Sequence, residues 1–167
     1  CLAVVIVGDD PASHVYVGAK ERACARLGIR SVRVDVASDA EYEEVATTVR
    51  SLNEDPGING VLVQSPLPSG MDEVSITDLI DPNKDVDGFH AQNLGRLVQG
   101  DVSGLLPCTP AGVMRMLEST DLEIQGKRAV VIGRSRIVGM PQSILLAQRG
   151  VDATVTIAHS RTCLLYT

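Results

Sequence analysis

A chain of 167 residues with 44% hydrophobic content can bury one to one-and-a-half globular domains and is not a disordered chain. Its formal charge of −6, with no basic run to offset it, argues against nucleic acid or an anionic membrane as a partner, and no apolar run approaches the ~18–20 residues of a membrane span. Cys1, Cys24, Cys108 and Cys163 are scattered without a C-x-x-C, so they offer neither a disulfide framework nor a zinc cage and fit a reducing compartment.

Trp is absent and Phe occurs once, which leaves Val, Ile, Leu, Ala and Met to pack the core. With 15 glycines, that composition suits buried parallel strands joined to helices by tight turns. Residues 2–7 (LAVVIV) form a continuous apolar run of strand length. Asp10 then Pro11 mark a helix start, and Gly28 its end, with Val15, Ala19, Ala23 and Leu27 as the expected inward stripe. Tyr16 and Lys20 lie beside that stripe, four residues apart and on one face. A phenol next to an amine can be a proton-handling pair or simply a polar helix edge.

Val32, Val34 and Val36 alternate with charged residues as a half-covered strand. Ser38-x-x-Glu41 has the form of a capping box, with Tyr42, Val45, Ala46, Val49 and Leu52 as the stripe of the helix behind it. Asp55-Pro56-Gly57 stops that helix, and residues 60–63 (GVLV) make a third strand. Strands alternating with helices imply βαβ units and a mostly parallel sheet. Gln64 to Pro68 (QSPLP) then falls at the carboxyl end of a strand, where open α/β sheets bind ligands. A short helix is expected around residues 74–80. The loop PNKDVDGFH (82–90) looks too polar to be core, and Thr109 with Pro110 looks like the cap of a further helix that ends near Ser119. A domain boundary at 119/120 follows.

The remaining segment reads as one βαβ unit: a strand at 129–132, the turn GRSRIVGMP (133–141), a helix to Gly150 and a strand at 153–158. Glycine-bearing turns of this kind let backbone N–H groups approach a pyrophosphate at a helix N-terminus. Gly133-x-Ser135 with the next glycine at 139 is not a true G-x-G-x-x-G, so a plain tight turn is an equal reading. The end of the last strand adds a discriminator. An NAD site usually has a carboxylate there for the ribose hydroxyls, whereas this chain has His159-Ser160-Arg161, with Arg134 in the turn. Guanidinium and hydroxyl groups suit a 2′-phosphate, which favours NADP.

YVGAK, VQSPLP, PNKDVDGFH, NLGRL, PCTPAGV, GKRAVVIGRSRIVGMP and TVTIAHSRT occur in this order over nearly the whole chain. Together they closely resemble the methylenetetrahydrofolate dehydrogenase/methenyltetrahydrofolate cyclohydrolase family of bifunctional folate enzymes. The resemblance implies an N-terminal three-layer α/β domain (1–119) with a mostly parallel sheet, then the first half of a Rossmann-type NADP-binding domain (120–167). It implies NADP-dependent oxidation of methylenetetrahydrofolate and hydrolysis of the methenyl product, with a small-molecule folate substrate, a cytoplasmic location and a homodimer in the intact protein. It assigns Tyr16 and Lys20 as the folate-side catalytic pair, Gln64 as support for the lysine, and Asp87 as the group that holds the pterin. Val63 and Ser65 flank Gln64 as substrate-binding positions, and Gly133, Arg134, Ser135 and Ser160 match cofactor-binding positions. No metal is implied.

Two departures from the family pattern stand out. Ser65 replaces the usual Leu of VQLPLP, and the family's P-G-G-V-G-P-M-T segment is absent. The chain therefore reads as a fragment truncated at both ends, with 163–167 as candidates for non-native residues. A dehydrogenase-only relative and a non-catalytic α/β nucleotide-binding module are the competing readings. The module predicts that Tyr16, Lys20, Gln64 and Asp87 point away from one another.

Overall fold

The computed structural model describes residues 1–163; the rest of the stretch raised above as non-native, 164–167, lies outside the described residues. In chain order the elements are β1 (Leu2–Val7), α1 (Pro11–Leu27), β2 (Ser31–Val36), α2 (Tyr42–Glu54), β3 (Gly60–Val63), α3 (Glu73–Thr77), α4 (Ala91–Val98), α5 (Cys108–Glu118), β4 (Arg128–Ile132), α6 (Gly139–Ala147) and β5 (Thr154–Ala158). They gather into two compact units, Cys1–Val86 and Asp87–Thr167.

In the first unit β1 is central, parallel to β2 on one side and β3 on the other. Ala3, Val5 and Val7 face a core shared with Val45 and Val49 of α2 and Ile76 of α3, while Val4 and Ile6 pack with Val17 of α1 and Leu62. Helices on both faces explain why β1 is apolar throughout: each residue from Ala3 to Val7 is buried. Burial of this kind contributes roughly 1.5–3 kcal/mol per Val or Ile side chain.

Helix α1 begins as expected. The Asp10 carboxylate accepts hydrogen bonds from the N–H and the hydroxyl of Ser13, both at 2.8 Å, and Gly28 ends the helix with φ +70°. Its inward stripe differs from the expected one. Ser13, Val17 and Cys24 are buried, whereas Val15 and Leu27 are 70% and 74% exposed. The Asp10 cap satisfies Ser13, so a polar residue can take a core-facing position that apolar counting gives to Val15. Lys20, half-buried, falls on that inner stripe at the spacing 13, 17, 20, 24.

Two further expectations are corrected in this unit. The capping box at Ser38–Glu41 does not form: residues 37–40 make a turn, closed by the Ala40 N–H on the Ala37 carbonyl at 3.2 Å, and α2 starts at Tyr42 without a side-chain cap. The loop from Pro82 is not excluded from the core. The Val61 N–H donates to the Lys84 carbonyl at 2.7 Å, Asp85 forms a parallel bridge with Val61 and is fully buried, and Val86 packs against Leu62 and its neighbours. The Lys84 ammonium donates to the carbonyls of Leu52 (3.2 Å), Asn53 (2.6 Å) and Asp55 (2.9 Å) at the end of α2, a helix with no basic residue in its last turn. A cation there satisfies orphan carbonyls and the helix dipole together.

In the second unit β4 and β5 pair in parallel from Arg128 opposite Thr154 to Ile132 opposite Ala158, with α6 packed on both strands. Helix α4 lies where sequence analysis assigned no element. It is short, its inward residues are Asn93 and Leu97, and His90 caps it by accepting the Gln92 N–H on Nδ1 at 3.0 Å. Helix α5 starts at Cys108 behind Pro107, ahead of the expected Thr109 cap, which leaves Pro110 in the first turn where its missing N–H costs nothing. Both α4 and α5 pack against α6. The two compact units meet at 86/87, whereas the connector in the sequence suggests a boundary at 119/120.

Candidate active site

In the first unit a lysine and a glutamine meet at the carboxyl end of the sheet. Gln64 stays in register one residue beyond β3, because its N–H donates to the Val5 carbonyl at 2.8 Å. From α1 the Lys20 Nζ donates to Gln64 Oε1 at 3.0 Å, across 44 residues of sequence. The Gln64 amide is turned by a second bond, Nε2 donating to the Ser65 carbonyl at 2.7 Å. That donor requirement settles which amide atom faces the lysine: the carbonyl oxygen. Lys20 is thus held by a neutral acceptor that cannot titrate. Tyr16, one turn earlier on α1, is 65% exposed, so its phenol is open to a ligand. Val63 is half-buried and Ser65 exposed beside Gln64.

In the second unit Asp87 is half-buried at the start of a loop whose next residue, Gly88, has φ +69°. A Cβ on Gly88 would meet Leu106 C at 2.4 Å and Pro107 N at 2.6 Å, so the loop is seated backbone to backbone on the 106–107 segment. The turn after β4 is built the same way. Gly133 has φ +122° and its N–H donates to the Ala158 carbonyl at 2.7 Å, which places the turn beside the loop that follows β5. A Cβ on Gly139 would meet Gly133 O at 2.3 Å, so the turn closes on itself only with glycine there. Ser135 braces it, its Oγ accepting from the N–H groups of Val138 (3.1 Å) and Gly139 (3.3 Å), which leaves the hydroxyl hydrogen to donate. Arg134, Ser135 and Ser160 are all exposed. After β5 the Thr162 N–H donates to the His159 carbonyl at 2.8 Å, a tight turn with Ser160 at its tip.

Of the sequence-derived residues, the structure joins Lys20 to Gln64 directly and sets Tyr16, Val63 and Ser65 on the elements that carry them. Gly133, Arg134 and Ser135 share one turn, and Ser160 sits on the adjacent loop. Two residues escaped sequence reasoning. In the sequence Gly139 is only a glycine at the wrong spacing for the dinucleotide fingerprint. Glu73, whose Oε1 accepts the Leu67 N–H at 3.2 Å, was passed over because nothing local marks it. Among the described residues no group of three or more His, Cys, Asp or Glu side chains could hold a metal ion.

Two family models match the chain in order. The family model described as tetrahydrofolate dehydrogenase/cyclohydrolase, catalytic domain, matches residues 1–87, and the one described as its NAD(P)-binding domain matches residues 107–166. The bifunctional protein FolD of Prochlorococcus marinus is 53% identical over 161 residues, covering 96% of this chain and 52% of that protein. The namesake from Methanoculleus marisnigri is also 53% identical, covering 96% and 56%. A crystal structure of the bifunctional FolD dehydrogenase/cyclohydrolase from Campylobacter jejuni superposes with TM-score 0.94 at 43% identity, over 98% of this chain and 57% of that one. The Trypanosoma brucei enzyme, solved with NADP cofactor and inhibitor, gives 0.90 at 37%, over 97% and 54%. The chain spans about half the length of the curated relatives it matches. With both domain models matched in order, and a Lys–Gln pair and a glycine-closed turn in the matched segments, the chain belongs to the tetrahydrofolate dehydrogenase/cyclohydrolase family.

Proposed function

We propose that the protein oxidises 5,10-methylenetetrahydrofolate with NADP and hydrolyses the methenyl product to 10-formyltetrahydrofolate. The observation that carries the hydrolytic half is the 3.0 Å bond from Lys20 Nζ to Gln64 Oε1 at the carboxyl end of the sheet. Hydrolysis adds water to the bridging carbon of the methenyl cation, breaks that carbon's bond to N5 and leaves the formyl group on N10. The attacking water gives up both protons: one ends on N5 as it departs, and the other is released to solvent, which discharges the positive charge of the substrate. A lysine amine beside the reacting atoms can take the first of these protons from the water and return it to N5. Gln64 fixes the direction of the amine without stabilising the ammonium as a carboxylate would. Tyr16 lines the same helix face with an exposed phenol, and Asp87, acceptor-only when ionised, suits the donor edge of the pterin. Val63 and Ser65 complete the folate side.

The second unit fits a dinucleotide. Gly133 has open space where a Cβ would stand, the Gly133–Gly139 turn brings the backbone of β4 and α6 together, and the Ser135 hydroxyl retains its hydrogen to donate. Arg134 and Ser160, both exposed at the carboxyl ends of β4 and β5, suit the charge of a 2′-phosphate, and no carboxylate ends β5. When bound, NADP supplies the oxidant for C–H cleavage; the chain's residues orient it and the folate.

The paired Lys20 and Gln64 favour the bifunctional reading over a dehydrogenase-only one, since C–H oxidation needs alignment rather than a proton carrier. The test is Lys20→Met in a full-length form. Cyclohydrolase turnover should fall at least about 100-fold, the lower range for loss of a general acid–base group, while dehydrogenase turnover stays measurable. Survival of both activities would remove Lys20 from the mechanism. The family resemblance also supports a homodimer, to be measured by sedimentation, and a cytoplasmic location; no helix among the described residues is long and apolar enough to cross a membrane.

A further inference from the structure

The segment after β3 runs Gln64-Ser65-Pro66-Leu67-Pro68. Prolines carry no N–H, so within Pro66-Leu67-Pro68 the Leu67 amide is the one backbone donor by which this stretch can be held. That donor is taken: it reaches Glu73 Oε1 at 3.2 Å. Glu73 itself is fixed by the short helix α3. The Asp72 carboxylate caps it by accepting the N–H groups of Val74 (3.1 Å) and Ser75 (3.4 Å), and the buried Ile76 anchors it in the core. Beyond Leu67 the chain closes a turn through the Met71 N–H on the Pro68 carbonyl at 3.1 Å.

Upstream of Leu67, the Ser65 carbonyl accepts the Gln64 side-chain NH2 at 2.7 Å and so decides that Gln64 presents oxygen, not nitrogen, to Lys20. If that carbonyl moves, the amide loses one of the two bonds that fix it and is held only through its contact with the lysine. The carbonyl lies two residues from Leu67, with Pro66 between them limiting how the chain can adjust. We infer that Glu73 is a positioning residue for hydrolysis: through Leu67 it holds the loop that orients Gln64, and through Gln64 the Lys20 amine. This rests on the role of Lys20 and Gln64 proposed above. Glu73 touches neither reacting group.

The test uses a full-length form and compares Glu73→Leu, which removes the acceptor, with Glu73→Gln, which keeps an oxygen in the same place. In Glu73→Leu the cyclohydrolase kcat should fall roughly tenfold, the scale of one lost hydrogen bond, with dehydrogenase kcat within about twofold of wild type. Glu73→Gln should restore hydrolysis to within about threefold. General damage to the fold would lower both activities together and would not be rescued by glutamine. An unchanged ratio of the two activities in Glu73→Leu would overturn the inference, provided Lys20→Met abolishes hydrolysis in the same assay. If Lys20→Met leaves hydrolysis intact, the underlying reading fails and the inference with it. Should Glu73→Leu not fold, Glu73→Met is measured in its place, and an unchanged ratio of the two activities there would likewise overturn the inference.

Discussion

Under the proposed function, the two units prepare for chemistry in different ways. In the first, a sheet covered on both faces buries Ala3 to Val7 to 4% exposure or less, and two side chains from distant elements, Lys20 and Gln64, are already bonded to each other. In the second, Val130 and Ile132 of β4 are 64% and 81% exposed, and the order lies in the backbone: Gly133 and Gly139 close a turn that Ser135 braces and on which Arg134 is exposed. A group that handles protons must be aimed before the substrate arrives. A group that binds a phosphate can stay exposed until the phosphate arrives, provided the backbone beneath it is fixed.

The sharpest way to break this comparison is Gly139→Ala. A methyl 2.3 Å from the Gly133 carbonyl cannot be relieved by side-chain motion, since the obstacle is backbone. The variant should lose about 3 kcal/mol or more of stability in the second unit and about 100-fold or more in NADP affinity, read by thermal melting and cofactor titration. Normal NADP binding by Gly139→Ala would mean that closure of the turn does not matter. Next in size is Arg134→Gln, expected to weaken NADP about 10- to 100-fold with little change for NAD, because the lost contact is a charge-assisted one to the extra phosphate. Equal weakening of both cofactors would assign Arg134 to the shared pyrophosphate.

The smallest effect belongs to the cap that starts the lysine's helix. Asp10→Ala should lower Tm by roughly a few degrees, with little loss of hydrolysis, since Lys20 is fixed at its far end by Gln64. The Ser13 hydroxyl, and then the Ser13 N–H, hold the Asp10 carboxyl below its ordinary value near 3.8. The cap's contribution is therefore fully present above that value and fades as the pH falls through the lower folded one. Chemical denaturation of wild type and Asp10→Ala across acid pH should show the two curves converging. A difference that does not shrink as the pH falls would mean that the carboxylate is not the source.

Much of this fold is legible in the sequence because buried parallel strands are written as unbroken or alternating apolar runs, as at 2–7, 32–36 and 60–63. What escapes is polar structure satisfied from a distance. Ser13 faces the core because Asp10 bonds it, Asp85 is buried in a loop that Lys84 pins to three carbonyls at and just beyond the end of α2, and Asn93 turns inward on a helix too short to show a period. The site follows the same rule. Tyr16 and Lys20 gain meaning only through the resemblance; which face of α1 points inward, and that Lys20 reaches Gln64, requires the structure. Gly139 fails the fingerprint spacing yet serves its purpose, because close approach of two backbones depends on where the turn folds back rather than on residue count.

The central claim, that Lys20 and Gln64 act as one device for hydrolysis, is tested most directly by a double-mutant cycle on cyclohydrolase kcat. Lys20→Met, Gln64→Leu and the double variant are measured in a full-length form. If glutamine works only by aiming the lysine, the double variant should be no slower than Lys20→Met alone, to within about twofold. Losses that multiply would show the two residues acting independently and contradict the account.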